Sequence, residues 1–281
     1  MRSQRWRQRD WRHCLKRSQK TLRIVVKVGS SVLTGGKASI IKENLSRIVR
    51  HIAGFIEGGY DVILVTSGAI ASGLSVLGLK KRPTELSELQ AAAAVGQNIL
   101  MHNYIMEFDK YHLKCAQILL TKDDFRDRKK FLRNTLDTLQ KHKVIAVINE
   151  NDSVSVDEIK FGDNDILSAH VAVLAEADGL LILSDIGGLF EDFDPATKTG
   201  TLIEQVEKID HKIERLACGT DNMSCVGGMS SKIEAAKIST REGIPVILAN
   251  GLKEDLKVDF SPIGNAVRHR IDGTLFLAGK K

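Results

Sequence analysis

Residues 144–165 read VIAVINENDSVSVDEIKFGDND and join an apolar run to a segment crowded with carboxylates and amides. The apolar residues 144–148 predict a buried strand, and the pattern over 166–177 predicts a helix. A strand, a loop and a helix in this order form the repeating unit of α/β folds. This stretch therefore predicts an α/β fold and marks one strand end as a candidate site.

The polar loop within this stretch divides into two turns. Residues 149–152 and 162–165 are rich in Asn and Asp, and the alternating residues 156–161 between them predict a small hairpin. Carboxylates and amides at the carboxyl end of a strand lie where open α/β sheets bind their ligands. Either turn alone is equally consistent with a solvated loop, because Asn, Asp and Gly are all turn formers. The two turns together favour a binding site.

The first strand of the chain leads into a second candidate site. Residues 22–28, LRIVVKV, predict a buried strand that runs directly into the turn 29–31, Gly-Ser-Ser. Lys27 lies at the end of this strand, where a cation rarely serves packing. It is either an edge lysine that reaches solvent or an ammonium aimed at a phosphate beside the N–H groups of a glycine turn.

Two more turns of small residues precede predicted helices. The strand 61–65 is followed by Thr-Ser-Gly at 66–68, an arrangement that presents unpaired N–H groups at a helix start. Further along the chain, the Gly-Gly pair 227–228 precedes Ser-Lys-Ile-Glu at 231–234. This tetrapeptide matches a capping box and predicts a helix whose first residue is Lys232. A lysine there opposes the helix dipole, so it needs an anion nearby.

Predicted strands and helices alternate along the chain. Right-handed crossovers between such elements give a mostly parallel sheet with helices on both faces. No change in composition marks a second domain, so a single domain over 21–281 is predicted. Strands are expected at 22–28, 61–65, 113–120, 144–148, 179–183, 245–249 and 273–278, and helices at 45–56, 85–111, 122–142, 166–177, 203–217 and from 232 onward.

Positive charge is concentrated at the N-terminus. The chain has 41 Lys and Arg against 35 Asp and Glu, a formal charge of +6. Residues 1–20 hold eight of these basic residues and one acidic residue, which leaves 33 and 34 elsewhere. A nucleic-acid-binding protein carries its positive charge on a folded face, so no nucleic-acid partner is expected. Residues 1–20 are predicted to be a disordered extension, with an arm that touches polyanions as the alternative.

Composition also bears on the compartment and on metals. No run approaches the ~18 apolar residues of a membrane span, so a cytoplasmic protein without membrane contact is expected. The four cysteines are expected to be free thiols in a reducing cytosol, Cys115 within the core. The positions of these cysteines, Cys14, Cys115, Cys218 and Cys225, show no zinc-ligand spacing. No metal ligands are predicted among the side chains of the protein.

Cations, N–H donors and carboxylates at strand ends together predict phosphoryl transfer. The charge of a moving phosphoryl group must be met by preorganised cations and N–H donors. The P-loop template falls on residues 31–38, where Ser31 and Ala38 break it. The protein-kinase signature set is missing from the sequence, and so are the motifs of serine hydrolases and zinc proteases.

Five motifs together resemble those of the amino-acid kinase family: VVKVGSS at 25–31, TSGAI at 66–70, NEND at 149–152, GDND at 162–165 and GGMSSK at 227–232. The resemblance covers roughly residues 22–277. It implies a three-layer α/β/α sandwich that binds ATP with Mg²⁺, and an acid, across the C-terminal edge of its sheet. The pairing of NEND with GDND resembles the members that phosphorylate the side-chain carboxylate of L-glutamate, the first step of proline biosynthesis.

The resemblance also implies roles for individual residues. Lys27 and Lys232 are expected to neutralise the moving phosphoryl group, and Asp165 is expected to orient both. Four residues are expected to hold glutamate: Ser67, Gly68, Asp152 and Asn164. Asp152 is expected to face the substrate ammonium. The nucleotide is expected to contact Lys27, Gly29, Ser30, Ser184, Asp185, Val226, Gly227, Gly228, Met229, Ser230, Ser231 and Lys232.

Feedback inhibition by proline and a homo-oligomer, either dimer or tetramer, are further implications of the resemblance. The chain departs from the family in the basic residues 1–20, in a shorter segment at 130–135, and in the expected lack of an RNA-binding-like C-terminal domain.

Two alternative functions are open: a sibling kinase, acting on acetylglutamate, aspartate, carbamate or a nucleoside monophosphate, and a non-catalytic sensor of proline or glutamate. Asp152 argues against an acetylated amine, and the two lysines with Asp165 argue against a sensor.

Overall fold

The computed structural model describes residues 21–154, 164–194, 197, 199–218, 228–260 and 271–279. These residues form one sheet with strands β1 (Arg23–Val28), β2 (Asp61–Val65), β3 (Lys114–Leu120), β4 (Val144–Glu150), β5 (Gly179–Ser184), β6 (Gln205–Val206), β7 (Val246–Asn250) and β8 (Thr274–Phe276). The helices described are α1 (Ser30–Thr34), α2 (Lys42–Glu57), α3 (Ala69–Leu74), α4 (Leu86–Asp109), α5 (Asp124–Asp127), α6 (Lys129–Lys141), α7 (Asn164–Leu174), α8 (His211–Cys218) and α9 (Gly228–Arg241).

The strand order places β1 near the middle of the sheet. The order is β3-β4-β2-β1-β5-β7-β8-β6, and every pairing is parallel except the antiparallel pair β7–β8. From β1 the chain first builds the sheet outward through β2 and then adds β5 on the opposite side of β1. Such a reversal opens a crevice beyond the carboxyl ends of the central strands, which is where α/β sheets bind ligands.

Alternation along β1 separates two hydrophobic cores. Ile24, Val26 and Val28 point to one face, where they pack with buried residues of α1, α2 and α4. Val25 points to the other face and packs with buried residues of α6, α7 and α9. Because successive strand residues alternate between faces, Lys27 lies on the same face as Val25. The first strand therefore delivers its one charged interior side chain towards α7 and α9.

Helices α3 and α4 pack with their backbones in contact at two glycines. A Cβ atom added to Gly96 would lie 1.8 Å from the carbonyl oxygen of Ala69, and one added to Gly73 would lie 2.0 Å from that of Ala92. Both distances are far inside van der Waals contact, so only glycine fits at either position. This contact fixes α3, and with it the turn that follows β2, against the long helix α4.

The structure confirms the predicted mostly parallel sheet with helices on both faces. The predicted helix 203–217 was wrong in its first half, because residues 205–206 pair with β8 and the helix begins only at His211. Asp210 explains that start, since its Oδ1 accepts hydrogen bonds from the N–H groups of Lys212 and Ile213.

The predicted capping box at 231–234 was also wrong. Helix α9 already begins at Gly228, so Lys232 lies one turn inside the helix rather than at its start. The predicted hairpin at 156–161 and the N-terminal extension 1–20 lie outside the described residues. Across the part of the chain that is described, no helix combines the length and apolar character needed to cross a bilayer.

Candidate active site

Lys27 at the end of β1 is buried and, among the described residues, pairs with the carboxylate of Asp165. Its side chain is 5% exposed, and its Nζ lies 2.5 Å from Oδ1 of Asp165, which is itself 1% exposed. Asp165 is the second residue of α7, so the ion pair joins the central strand to the helix that covers its end. Burying a cation among apolar residues is unfavourable unless it is paired, and Asp165 supplies the pairing charge.

Lys232 reaches the same carboxylate from α9. Its Nζ lies 3.0 Å from Oδ2 of Asp165 and 2.5 Å from the carbonyl oxygen of Gly228. Ser231 donates a further hydrogen bond to Oδ2 of Asp165, at 3.0 Å. Two ammonium groups from distant parts of the chain thus share one carboxylate, and the trio carries a net charge of +1 at the sheet edge. An excess positive charge of this kind suits an anionic ligand.

The ionisation of Asp165 reflects this arrangement. Burial alone would raise the pKa of the carboxyl group, but the charges and hydrogen bonds of Lys27 and Lys232 outweigh burial and lower the pKa to about 2. Asp165 is therefore ionised throughout the physiological range. A carboxylate held in this state fixes both lysines in place.

The turn after β5 lies beside the start of α1. Asp185 accepts a hydrogen bond from the Ser31 hydroxyl at 3.0 Å, and the Ser184 hydroxyl accepts one from the N–H group of Ile186 at 3.3 Å. Gly29 lies close to the lysine, because a Cβ added to it would be 3.6 Å from Nζ of Lys27. Its N–H group, however, donates to the carbonyl oxygen of Leu183 at 3.2 Å. Within the turn 29–31, the N–H group of Gly29 therefore already has an acceptor inside the protein.

A separate cavity of about 230 Å³, which we call the acid cavity, lies beyond the ends of β2 and β4. Its walls include Ser67 and Gly68 of the β2–α3 turn, Asn164 at the start of α7, and the loop residue Asp152. Gly68 has a φ of 105°, a left-handed conformation that favours glycine. The four residues predicted to hold an amino acid therefore line one cavity.

A chain of amide hydrogen bonds organises the wall of the acid cavity. Asn149 donates from Nδ2 to Gln97 at 2.8 Å, so its Oδ1 is left to accept from Nδ2 of Asn164 at 3.1 Å. Asn164 donates from the same nitrogen to the Ser67 hydroxyl at 2.9 Å. Its own Oδ1 is buried and has no donor among the residues that the structure describes. Buried acceptors are normally satisfied, so this oxygen indicates where a ligand donor can bind.

Asp152 and Arg82 place opposite charges on the acid cavity. Burial raises the pKa of Asp152 to about 6, and the nearby charge of Arg82 opposes this rise. Arg82 lies in the loop before α4 and lines the cavity with Asp152. Glu150 lines the cavity as well, so two carboxylates and one guanidinium border it, and these can pair with the ammonium and the carboxylate of a free amino acid.

The structure brings most of the predicted site residues into these two adjoining regions. Lys27, Asp165, Ser231 and Lys232 form the charged cluster, and Asn164 lies next to Asp165 in sequence at the wall of the acid cavity. Ser30, the first residue of α1, lines the acid cavity as well, so the start of α1 forms part of the cavity wall. Two predicted nucleotide contacts, Val226 and Gly227, lie outside the described residues, whereas Gly228, Met229 and Ser230 begin α9.

Sequence reasoning missed Arg82, Gln97 and the positioning role of Asn149. The signal for Arg82 was weak, because it follows two lysines in a stretch typical of a solvated loop. Gln97 sits in an alanine-rich helix and follows Gly96, the residue that packs against α3. A polar side chain beside a close helix contact is a usable signal for a buried hydrogen bond.

Among the described cysteines, the thiol of Cys115 is free and half-buried, and burial raises its pKa to about 11. This agrees with the prediction that it packs as a core residue. Cys14, Cys225 and the side chain of Cys218 lie outside the description.

The sequence model of the amino acid kinase family matches residues 22–250, which include both lysines and Asp165. The chain belongs to the amino acid kinase family. The matched region holds the charged cluster, the acid cavity and seven of the eight strands.

Relatives within this family are similar over most of their length. A protein of Clostridium acetobutylicum named glutamate 5-kinase is 42% identical over 261 residues, which are 92% of this chain and 96% of the relative. Another of that name, from Geobacter sulfurreducens, is 45% identical over 93% of this chain and 69% of its own length.

Solved structures share the fold at lower identity. A carbamate kinase from Giardia lamblia bound to AMP-PNP superposes with a TM-score of 0.57 at 16% identity, over 82% of this chain and 93% of that chain. A second structure, of Giardia carbamate kinase, has a TM-score of 0.59 at 17% identity, over 93% of this chain and all of the other. This likeness supports the fold of the amino acid kinase family.

Proposed function

We propose that the protein transfers the γ-phosphoryl group of ATP to the side-chain carboxylate of L-glutamate, forming L-glutamyl 5-phosphate and ADP. This is the reaction for which the similar proteins of Clostridium acetobutylicum and Geobacter sulfurreducens are named, and it is the first step of proline biosynthesis. The observation that carries the proposal is the convergence of Lys27 and Lys232 on Asp165, directly beside a cavity with paired charges for an amino acid.

The chemistry requires positioning and charge neutralisation. The side-chain carboxylate of glutamate is already ionised at neutral pH, since its ordinary pKa is about 4.3, so no general base is needed. An oxygen of this carboxylate attacks the γ-phosphorus, and the bond from phosphorus to the bridging oxygen of ADP breaks. Both reactants are anions, so Lys27 and Lys232 reduce the repulsion between them and stabilise the charge of the transferred group. Asp165 keeps the two ammonium groups in place.

Glutamate is oriented in the acid cavity by its α-substituents. Its ammonium binds the carboxylate of Asp152 and supplies the missing donor to Oδ1 of Asn164. Its α-carboxylate binds the guanidinium of Arg82, because Arg82 is the cation that lines this cavity. These contacts leave the side-chain carboxylate to point along Asn164 towards the charged cluster at Asp165.

Magnesium enters this reaction with the nucleotide. No group of three metal-binding side chains occurs within the described ranges, and Asp165 already engages two lysines. Mg²⁺ commonly binds nucleotide phosphates and water with few protein ligands. The residues present therefore fit an ion carried by ATP.

The deciding experiment is ATP-dependent formation of an acyl phosphate, trapped by hydroxylamine as the hydroxamate. The acids compared are glutamate, aspartate, carbamate, N-acetylglutamate, glutarate and 4-aminobutyrate. Glutarate lacks the ammonium, and 4-aminobutyrate lacks the α-carboxylate. We expect glutamate to give the highest kcat/KM, with losses for glutarate and 4-aminobutyrate that report Asp152 and Arg82 respectively. A higher kcat/KM with another acid identifies a sibling kinase, and no product with any acid supports the sensor.

Feedback inhibition by proline and a dimeric or tetrameric assembly are part of the same proposal. The long helix α4 exposes Ile105 and Met106, which are 48% and 53% accessible, and burial of these residues in an assembly is expected. Light scattering of the purified protein measures the assembly. Glutamate saturation curves with and without proline measure the inhibition, and curves that coincide contradict it.

A further inference from the structure

A second cavity of about 330 Å³ adjoins the acid cavity and has a strongly basic lining. We call it the basic cavity. Its charged residues are Lys37, from the loop between α1 and α2, and Lys80, Lys81 and Arg82, from the loop between α3 and α4. The hydroxyl-bearing residues Ser30 and Thr34 of α1 complete the polar part of the wall. Two loops that are distant in sequence thus contribute four cations to one concavity.

Within the described structure, Lys37, Lys80 and Lys81 have no ion-pair partner, whereas the charge of Arg82 acts on Asp152. No acidic residue lines the basic cavity. None of the four side chains forms an ion pair or a side-chain hydrogen bond with a described residue, although other exposed cations of this protein are paired. Arg47 and Arg50 both reach Glu254, and Lys253 reaches Asp272. Lys114, Lys141 and Lys208 are also unpaired in the described structure, so the basic cavity is distinguished by having four cations and no acidic residue around one concavity.

Clustering of like charges around a concavity is unfavourable unless an anion is bound there. Four positive charges that converge from two loops repel one another. A concave wall excludes part of the solvent that would otherwise screen them. A multiply charged anion in the cavity removes this repulsion and forms charge-assisted hydrogen bonds with ammonium, guanidinium and hydroxyl groups.

The basic cavity shares a wall with the acid cavity. Ser30, Ile70, Ala71 and Arg82 line both. Arg82 is the informative member of this set, because its charge also acts on Asp152 across the acid cavity. A guanidinium that is drawn towards an anion on one side is less available to a carboxylate on the other.

We infer that the basic cavity is a regulatory site for a small, multiply charged anion bearing phosphate or carboxylate groups, and that its occupation weakens binding of the amino acid through Arg82. Anion binding itself depends only on the basic cavity. The coupling to the amino acid rests on the proposed function, in which Arg82 holds the α-carboxylate of glutamate. Because the charged cluster at Asp165 is untouched, the anion raises the KM for glutamate and leaves kcat unchanged.

The test combines binding with kinetics on the full chain. Inorganic phosphate and citrate are the probes, and potassium chloride of equal ionic strength controls for screening. Isothermal titration calorimetry measures binding, and initial rates measure the KM for glutamate. The variant Lys37→Gln/Lys80→Gln/Lys81→Gln removes three cations that lie outside the acid cavity. An exposed charge contact contributes a factor of roughly 2–5 in affinity, so we expect the variant to bind phosphate at least about tenfold more weakly.

A matched control variant changes the charge by the same amount elsewhere. Lys114, Lys141 and Lys208 are exposed, line neither cavity and have no ion pair in the described structure. Their simultaneous change to Gln is expected to leave phosphate binding and the KM effect as in the wild type. Without added anion, both triple variants are expected to turn over glutamate like the wild type.

Three results would each overturn the inference. If chloride reproduces the KM effect, screening accounts for it. If the Lys37/Lys80/Lys81 variant retains phosphate binding, the anion binds elsewhere. If phosphate competes with ATP rather than glutamate, it binds at the nucleotide site. If no acid is turned over at all, the proposed function fails, whereas calorimetry still decides whether the basic cavity binds an anion.

Discussion

Replacing Asp165 with Asn tests the electrostatic arrangement on which the proposed chemistry depends. The change keeps the shape of the side chain but removes the charge that Lys27 and Lys232 share. The fold lowers the pKa of Asp165 from 3.8 to about 2. One pKa unit corresponds to 1.36 kcal/mol, so the folded protein favours the ionised carboxylate by about 2 kcal/mol relative to the unfolded chain.

This free energy sets the expected size of the effect. For a domain of this size, 1 kcal/mol shifts Tm by about 2–4 °C, so Asp165→Asn is expected to lower Tm by about 4–8 °C at pH 7. Because the pKa of this acid is lowered by folding, its contribution is complete above pH 3.8 and disappears as the pH falls towards 2. The difference in Tm between wild type and variant is therefore expected to be the same at pH 7 and pH 5 and to shrink below pH 3.8.

The same variant is expected to lose turnover. Two lysines without their shared anchor repel each other and leave their positions, and misplacement by about 1 Å can lower a rate by ~10². We expect kcat to fall at least about tenfold, with a smaller change in the KM for glutamate. Differential scanning calorimetry and steady-state kinetics provide the measurements. Asp255→Asn, at an exposed aspartate, is the matched control. An Asp165→Asn variant that matches the wild type in both Tm and kcat would refute the reasoning.

Four further variants test other parts of the structure. Lys27→Ala and Lys232→Ala are each expected to lower kcat by at least ~10², the order of magnitude for losing one preorganised charge contact; normal turnover in folded protein contradicts their assigned role. Asp152→Asn is expected to raise the KM for glutamate. In the wild type this KM is expected to rise as the pH falls through about 6, since the carboxylate of Asp152 becomes protonated there, and a pH-independent KM would exclude Asp152 as the ammonium partner. Gly96→Ala is expected to destabilise the fold by about 1–3 kcal/mol or more in urea denaturation, because its Cβ would lie 1.8 Å from Ala69. Its control is Gly54→Ala, at an exposed helical glycine whose Cβ would meet nothing within 4 Å; equal stabilities would refute the close contact.

The sheet could be predicted from sequence because its strands are short runs of β-branched and aliphatic residues separated by helical patterns. The buried strand β1 and the helix α4 are predicted to within one or two residues of their observed bounds. The structure of the segment after Thr201 was harder to predict, since Ile203, Val206 and Ile209 have a spacing that fits a helix. Pairing of residues 205–206 with β8 decides that segment, and a contact so distant in sequence has no local signal.

The site was predictable where a motif carries its own chemistry. The position of a lysine at a strand end was sufficient to single out Lys27, whereas only the family resemblance singled out Asp165 among the acids of its loop, and neither signal showed that the two side chains touch. The predicted start of α9 at Lys232 failed because Ser231 donates to Asp165 and Gly228 instead of capping the helix. Arg82 could not be singled out, because its importance comes from facing Asp152 across a cavity formed by distant segments.

Asn164 and Asp165 are neighbours on the first turn of α7, yet one borders the acid cavity and the other belongs to the charged cluster. The amide of Asn164 borders the acid cavity, and the carboxylate of Asp165 holds both lysines. A backbone adjustment at position 164 that fits a longer or shorter substrate acid therefore also displaces the ammonium groups of Lys27 and Lys232. Anyone redesigning this enzyme for a new acid should leave α7 unaltered and vary the facing wall at positions 82, 86 and 89, where side chains border the same cavity from a different element.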